Sequence, residues 1–590
     1  MVKHSRSLDV VILLGLCFLC FFFRLWSTGL YDLDEGLYAE TAREMVLTGD
    51  YITPRVNHRA FFDKPPFVFW CSALAYRLFG FNEFAARFPS ALTSTLLVLL
   101  VYWIGSIWFG RRAGLLAGIM LALNVMVVSA AHQMTMDAQL DFWIAASILC
   151  FFLARQSEKN SFWWYHLAWA SAGIGILTKS LIGIVFPGLT IIAYCVSFVM
   201  AKQREAGRKW TIGGVLAPAW QEIKKVHFIS GILVMLLVAG PWHYLDYRAN
   251  GFIFIREFFI HQQLERFEAK DFSHNLPYGT YVLFFLIGFF PWSTFFPASL
   301  TVRSGREERS DTTELRRLLI CWFFTIFIFF SLSRSELISY LLPGYAAAAL
   351  LVGDWWSRRI EDGLGMKALR WSFGVILVTA VVAVVIVVGW VRPDVLKKGL
   401  MPDPVLRKFI LALLVWAIGG LIATVLIWIN QRRAAFAALA GMMIIFIGVA
   451  VTLGLSTYEN TVLRPLHSLA REVSRIAPPD AGIAWFGLGS YRKPSIFFYL
   501  PNRLFKTGGP GVYEPHTLAE MEQEIKDGQV QYIITTAKGA DHLLPAPGLK
   551  ILNQHRNQWY LIEANRPAVM PASKKSPSPG PNRPIAPAKT

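Results

Sequence analysis

From about residue 8 to about residue 455 the chain consists of apolar runs separated by short polar connections. Each run is long enough for a helix to cross the hydrocarbon core. A criterion of about twenty residues per crossing predicts roughly thirteen spans, near 8–28, 85–109, 112–130, 138–155, 163–178, 181–199, 227–244, 280–298, 315–332, 338–355, 370–391, 408–428 and 435–454. The first run, Val10 to Trp26, is long and aromatic, and no small-residue cleavage pattern follows it, so it reads as a retained span. After Tyr458 the pattern changes: GIAWFGL, QYIITTA and QWYLIEA are strand-like and TLAEMEQEIKD is helix-like. The expected organisation is an α-helical polytopic membrane domain over 1–456, with interfacial helices, and a small α/β domain over 457–565. Residues 566–590, rich in Pro, Ser and Lys, are expected to form a disordered basic tail.

One polar stretch interrupts the apolar pattern early, at Asp32 to Trp70 between two hydrophobic segments. Asp32 and Glu35 have capping-box spacing, good helix formers follow, and Gly49 supplies a stop, which predicts a helix lying along the membrane surface. Asp34, Tyr38 and Thr41 fall on one face of it, and Leu33, Leu37 and Val46 are free to touch lipid or protein. Asp34 and Glu35 have two readings here, as groups that complement the helix dipole or as functional acids. Further on, Asp63 and Lys64 precede Pro65 and Pro66, which fix the backbone as the chain re-enters the apolar pattern. A rigid charge pair in that position reads as a binding feature.

Composition supports the membrane assignment, with 55% hydrophobic and 16% charged residues. The net charge of +18 is largely accounted for by topology. With the N-terminus (Lys3, Arg6) in the cytoplasm, every second connection carries Lys and Arg: Arg111 and Arg112, Arg155 and Lys159, Lys202 to Lys225, Arg303 to Arg309, Arg358 to Arg370, and Arg432 with Arg433. No basic stripe interleaved with aromatics asks for nucleic acid. An odd number of spans then puts the polar insert and the C-terminal domain outside. None of the six cysteines lies in the C-terminal domain, so no disulfide framework or cysteine zinc site is indicated.

Other polar clusters fall on the same predicted outer side. They are His132, Asp137 and Asp141; Asp246, Glu257, His261, Gln263, Glu265, Arg266, Asp271 and His274; and Arg334, Glu336 and Tyr340. Each alone has an ordinary structural reading, Asp137 as a helix N-terminal acid and Tyr340 as an interfacial aromatic. Their common placement is what points to a site. A secondary transporter would show internal repeats and polar residues at midplane, whereas these charges gather at one interface.

The segments DEGLYAETAREMVLTGDYITPRVN, AFFDKPPFVFW, NEFAARFPSAL (82–92) and SLSRSELISYLLPGYAAAALLVG (331–353) resemble the GT-C glycosyltransferases of the aminoarabinose transferase and protein O-mannosyltransferase superfamily, over most of residues 8–500. The resemblance implies an inverting enzyme of a bacterial-type inner membrane that takes sugar from a polyprenyl-phosphate carrier. The acceptor is expected to be extracytoplasmic: lipid A or lipopolysaccharide, another glycan or a protein. By position it implies catalytic roles for Asp34 and Asp137, and substrate contacts for Glu35, Tyr38, Lys64, Arg266 and Tyr340. It also implies a divalent metal (zinc, magnesium or manganese) at Asp63 and His261. The chain departs from the family at Leu37, where aminoarabinose transferases usually carry Arg. It departs again at Gln263 of QLERF, where His is usual, and at Glu336, where a basic residue is common. A non-catalytic protein that binds the lipid carrier or scaffolds the envelope is the competing reading of such changes.

The implied chemistry has two electrostatic demands. Breaking a sugar–phosphate bond develops positive charge at the anomeric carbon and negative charge on the leaving phosphate. Lys64, Arg266 and a metal would answer the second. Asp34 would deprotonate an acceptor hydroxyl, or orient an acceptor that needs no deprotonation.

Overall fold

The computed structural model describes residues 2–564 except 209–210, 266–278, 302–309, 334–336, 363–365, 394–402, 479, 488–492, 502–510, 547 and 556–557. The expected tail at 566–590 therefore lies outside the described residues. The chain is mostly helical and forms two compact units. One comprises Met1–Leu25, Phe88–Tyr244 and Arg266–Gly454, and the other Trp26–Arg87, Leu245–Glu265 and Leu455–Thr590.

The chain is a multi-span membrane protein. All thirteen predicted spans fall on helical segments, but among the described residues only eight helices are long and apolar enough to cross a membrane, or ten if two bent pairs each make one span. Helix Val2–Cys17 is short at 16 residues, while Ser161–Lys179 and Leu342–Asp362 do not meet the length-and-apolarity criterion. One bent pair, Arg111–Ala122 with Val125–Ala131, turns by 62°. Its break is made by Asn124, whose side chain accepts from the backbone N–H groups of Met126 and Val127 and so starts a new helix. The other, Thr280–Gly288 with Trp292–Leu300, turns by 112° around Pro291, which has no N–H to continue the ladder.

In this first unit, small residues let backbones meet. A Cβ on Gly353 would lie 2.8 Å from the carbonyl oxygen of Ala113 and 2.8 Å from Cβ of Ala117, so helix Leu342–Asp362 lies directly on helix Arg111–Ala122. Several charges in the unit are paired. Asp9 accepts from Arg111 at 2.5 and 2.6 Å and from Tyr102 at 3.0 Å, and Asp354 takes Arg316 and Arg358.

In the second unit, strands Ile483–Phe486, Tyr532–Thr536, Trp559–Ala564 and Leu549–His555 form one sheet in that spatial order. The first pair is parallel and the others antiparallel. Three of these strands match the expected ones. Leu549–His555 was not expected: at the sheet edge, its Lys550, Asn553 and Gln554 hide the alternation. Helix Leu518–Lys526 begins at Thr517, whose side chain accepts from the Glu520 N–H, and Met521 and Ile525 pack on the sheet core. Gly353→Leu is predicted to overpack the first unit and cost about 1–3 kcal/mol, measured as a lower thermal midpoint in detergent, whereas Gly374→Leu, with open space at its Cβ position, should change little.

Candidate active site

The expected surface helix forms over Asp34–Thr48 and stops at Gly49, whose φ of 76° is the left-handed conformation and whose N–H reaches the Met45 carbonyl. The expected capping box does not form. Asp32 is drawn to other partners, accepting from the Ser495 N–H at 3.0 Å and lying 3.4 Å from Lys493 Nζ. Leu33 stands at the cap position without a side-chain bond, and Glu35 accepts from the Tyr31 N–H instead, at 2.8 Å. Gly36 allows this approach, since a Cβ there would meet the Ser495 backbone at 2.6 Å.

Four ionisable residues on this helix are buried: Glu35, Glu40, Arg43 and Glu44. The protein answers each of them. Both oxygens of Glu35 accept from Arg87, at 2.7 and 2.9 Å, and the same guanidinium donates to Thr28 and to the Gly29 carbonyl. Glu40 accepts from Arg43 at 2.8 and 3.1 Å, and Arg43 also donates to the carbonyls of Phe497 (2.7 Å) and Leu500 (3.2 Å). Glu44 accepts the backbone N–H groups of Asn57 and His58. These two residues form the tip of a hairpin and have φ of 53° and 63°, as a tight two-residue turn requires. Asn57 in turn exchanges bonds with the Val512 backbone at 2.7 Å each way. Burial, and then the charge of Glu40, push the Glu44 carboxyl up to about 8, against the pull of the two N–H donors.

Around this frame lie the residues that the sequence marks. Asp34 is exposed at the start of the helix, while Tyr38 is buried against Phe61 and Phe69. Asp63 and Lys64 are half-buried just before helix Phe67–Phe79. Their segment is tied to the chain after residue 245: Asn250 donates to Thr53 at 2.7 Å and Phe62 lies against Phe254. His261 is half-buried in helix Ile255–Glu265 of the same unit. Arg266 and Glu336 lie outside the described residues. Among the described residues no three His, Cys, Asp or Glu side chains come together to hold a metal. Asp63 and His261 are the two donors the resemblance implies for one.

The first unit carries its own polar cluster. Asp137, first residue of helix Asp137–Gln156, lies 2.5 Å from Lys179 Nζ at the end of helix Ser161–Lys179. That ammonium is 5.3 Å from the centre of the Tyr340 ring, which stacks on Phe330. Asp137 and Tyr340 were expected; Lys179 was not. Its signal was legible, as the lone lysine closing an apolar span.

The sequence pattern of the dolichyl-phosphate-mannose-protein mannosyltransferases matches residues 63–220. A Proteus mirabilis protein, undecaprenyl phosphate-alpha-4-amino-4-deoxy-L-arabinose arabinosyl transferase 2, is 26% identical over 562 residues, 91% of this chain and 94% of that protein. A transferase of the same donor from Pectobacterium carotovorum is 28% identical over 410 residues, 68% of each chain. The crystal structure of ArnT from Cupriavidus metallidurans bound to undecaprenyl phosphate has the same fold, with a TM-score of 0.76 at 24% identity, covering 95% of this chain and 99% of that one. The chain is similar along nearly its whole length to aminoarabinose transferases and shares the fold of ArnT. The second unit holds Asp34, Glu35, Tyr38, Asp63, Lys64 and His261, and the first holds Asp137 and Tyr340. Glu35 has both oxygens taken by Arg87 and the Tyr31 N–H, which makes it a brace under Asp34.

Two predictions follow from the buried charges. Arg87→Met leaves Glu35 buried and uncompensated and should cost about 3–5 kcal/mol, whereas Glu35→Leu together with Arg87→Met should recover most of that, both read as thermal midpoints of the full chain. Glu44, with a folded pKa above its ordinary value of 4.5, contributes stability that is complete below that value and lost as pH rises through about 8. The thermal midpoint should fall over that window, and Glu44→Gln should flatten the fall.

Proposed function

We propose that this GT-C protein moves a sugar from an undecaprenyl-type phosphate carrier to an extracytoplasmic acceptor, with inversion at the anomeric carbon. The observation that carries the reading is similarity along nearly the whole chain to transferases that use such a donor. The exposed Asp34 on a helix braced by buried ion pairs supports it. The Lys and Arg of alternate connections support a cytoplasmic N-terminus in a bacterial-type inner membrane, with the 457–565 domain outside. In this reading that domain covers the site or docks the acceptor.

The anomeric carbon–phosphate oxygen bond breaks and the electron pair leaves with the carrier phosphate. Lys64 answers the charge that grows there. The acceptor oxygen attacks from the opposite face, and where it is a hydroxyl its proton passes to Asp34. Asp137, the second acid that the resemblance implies, has its carboxylate held by Lys179. Leu37, at a position usually Arg in aminoarabinose transferases, argues for a sugar or acceptor contact different from theirs. Lipid A, another glycan and a protein all remain within the acceptor chemistry that Asp34 serves.

Purified full-length protein, incubated with extracted undecaprenyl-phosphate sugars and envelope acceptors, tests the proposal by mass spectrometry of the products. Sugar transfer is expected, with turnover reduced about 10²- to 10⁴-fold in Asp34→Asn and about 10²- to 10³-fold in Lys64→Ala. Carrier binding without transfer by the wild type would favour the scaffold reading. Undiminished transfer by both folded variants would remove the roles given to these residues.

A further inference from the structure

Arg155, Lys202 and Arg317 come from three different helices of the first unit and gather around one buried ring, that of Phe198. The guanidinium carbons of Arg155 and Arg317 lie 4.8 and 5.7 Å from the ring centre, and Lys202 Nζ lies 4.4 Å from it. Like charges held this close repel unless anions answer them. Glu222 answers Arg155 at 2.9 Å, and it is shared with Lys225 at 2.7 Å. Glu314 is engaged too, accepting from the Tyr194 hydroxyl at 3.0 Å and from Gln156 at 3.2 Å. Lys202, exposed, and Arg317, half-buried, have no carboxylate partner among the described residues.

Beside this cluster runs the amphipathic helix Ile212–Lys224, started by Thr211, whose hydroxyl accepts from the Gly214 N–H at 3.1 Å. It connects Ile182–Glu205 to Phe228–Asn250, both long and apolar enough to cross a membrane, which puts it at the level of the bilayer surface. Val215 and Ala219 pack with Phe198 and Val199. On the adjoining flank Ile212, Leu216 and Trp220, spaced four residues apart, are 82%, 56% and 52% exposed. Lys224 follows one turn later, its ammonium 5.8 Å from the Trp220 ring centre. Acyl chains favour such a stripe and water does not, and a Trp and a Lys at its end suit the headgroup level. Residues 202–225 hold six Lys and Arg against two Glu, so the border of the stripe is positive.

We propose that this face of the first unit binds an anionic phospholipid of the surrounding membrane. Lys202 and Arg317 take the headgroup phosphate beside Phe198, where apolar surroundings strengthen the charge pairing. The acyl chains lie along Ile212, Leu216 and Trp220. The occupant is a lipid and not a free phosphate, because the apolar stripe adjoins the cations. The inference does not depend on the proposed glycosyl transfer.

Native mass spectrometry of the full-length chain in neutral detergent tests it, by titration with dioleoyl phosphatidylglycerol or dioleoyl phosphatidylcholine. Wild type should prefer phosphatidylglycerol. Affinity for it should fall about fivefold in Lys202→Gln and about 10- to 30-fold in Lys202→Gln with Arg317→Gln, while phosphatidylcholine binds as before. Lys202→Gln changes an exposed side chain, so it keeps the test valid if the double variant folds poorly. Leu216→Ala with Trp220→Ala should also weaken phosphatidylglycerol. Lys367→Gln with Arg433→Gln removes two other exposed cations and should leave binding unchanged. Equal affinity of wild type for the two lipids would overturn the site, as would unchanged phosphatidylglycerol binding in Lys202→Gln and the double variant. An equal loss in the Lys367, Arg433 control would replace it with diffuse attraction to a basic surface. Displacement of phosphatidylglycerol by millimolar inorganic phosphate, with no effect of the Leu216, Trp220 change, would overturn the lipid as occupant.

Discussion

A carboxylate or guanidinium taken out of water must be answered by the protein, and helix Asp34–Thr48 buries four of them within three turns. Exposed ion pairs are worth little, but a buried charge whose partner is removed costs several kcal/mol. The helix that presents Asp34 is therefore stable only in one setting. Arg87 must come from the start of the next long helix, and backbone carbonyls from Phe497 and Leu500. The carboxyl group of Glu44 must find the hairpin at Asn57 and His58. The rest of the second unit is arranged around these demands.

The same logic explains how the C-terminal segment is fastened. Gly29 donates to Glu459, Leu30 to the Tyr499 hydroxyl, and Tyr499 to Glu83, while Arg471 pairs with Glu83 and covers the Tyr499 ring. His467 is buried against Tyr499 and bonds Ser495, and burial pulls it down to about 3, so it stays neutral. The amphipathic helix Arg464–Ile476 thus carries both an apolar face and polar groups, His467 and Arg471, that bond Ser495 and Glu83. The C-terminal segment shapes helix Asp34–Thr48 by supplying partners to charges that water no longer reaches. In the first unit the pairing differs: Asp137 and Lys179 pair while both keep partial exposure.

Much of this was legible in the sequence, and the physical reason differs from element to element. Spans announce themselves by length and apolarity, and helix Asp34–Thr48 by its formers and the Gly49 stop. The broken helices were less legible, because one Asn or one Pro inside an apolar run does not interrupt hydropathy. Leu549–His555 hid because an edge strand needs no strict alternation. Asp32 looked like a cap because capping is local, whereas its partners lie at Lys493 and Ser495, more than 450 residues away. The pairing of Glu35 was hidden for the same reason: the motif names the acid but not Arg87. Lys179 was missed because it does not stand in a polar run.

Hydrogen exchange across residues 34–48 in the full-length chain tests the central claim most directly, comparing wild type with Arg43→Met. The account predicts slow exchange in the wild type and acceleration by about a hundredfold or more in the variant, as expected for loss of one member of a buried pair. Equal exchange in the two proteins would contradict it, since helix Asp34–Thr48 would then stand without the charges that are held to fix it.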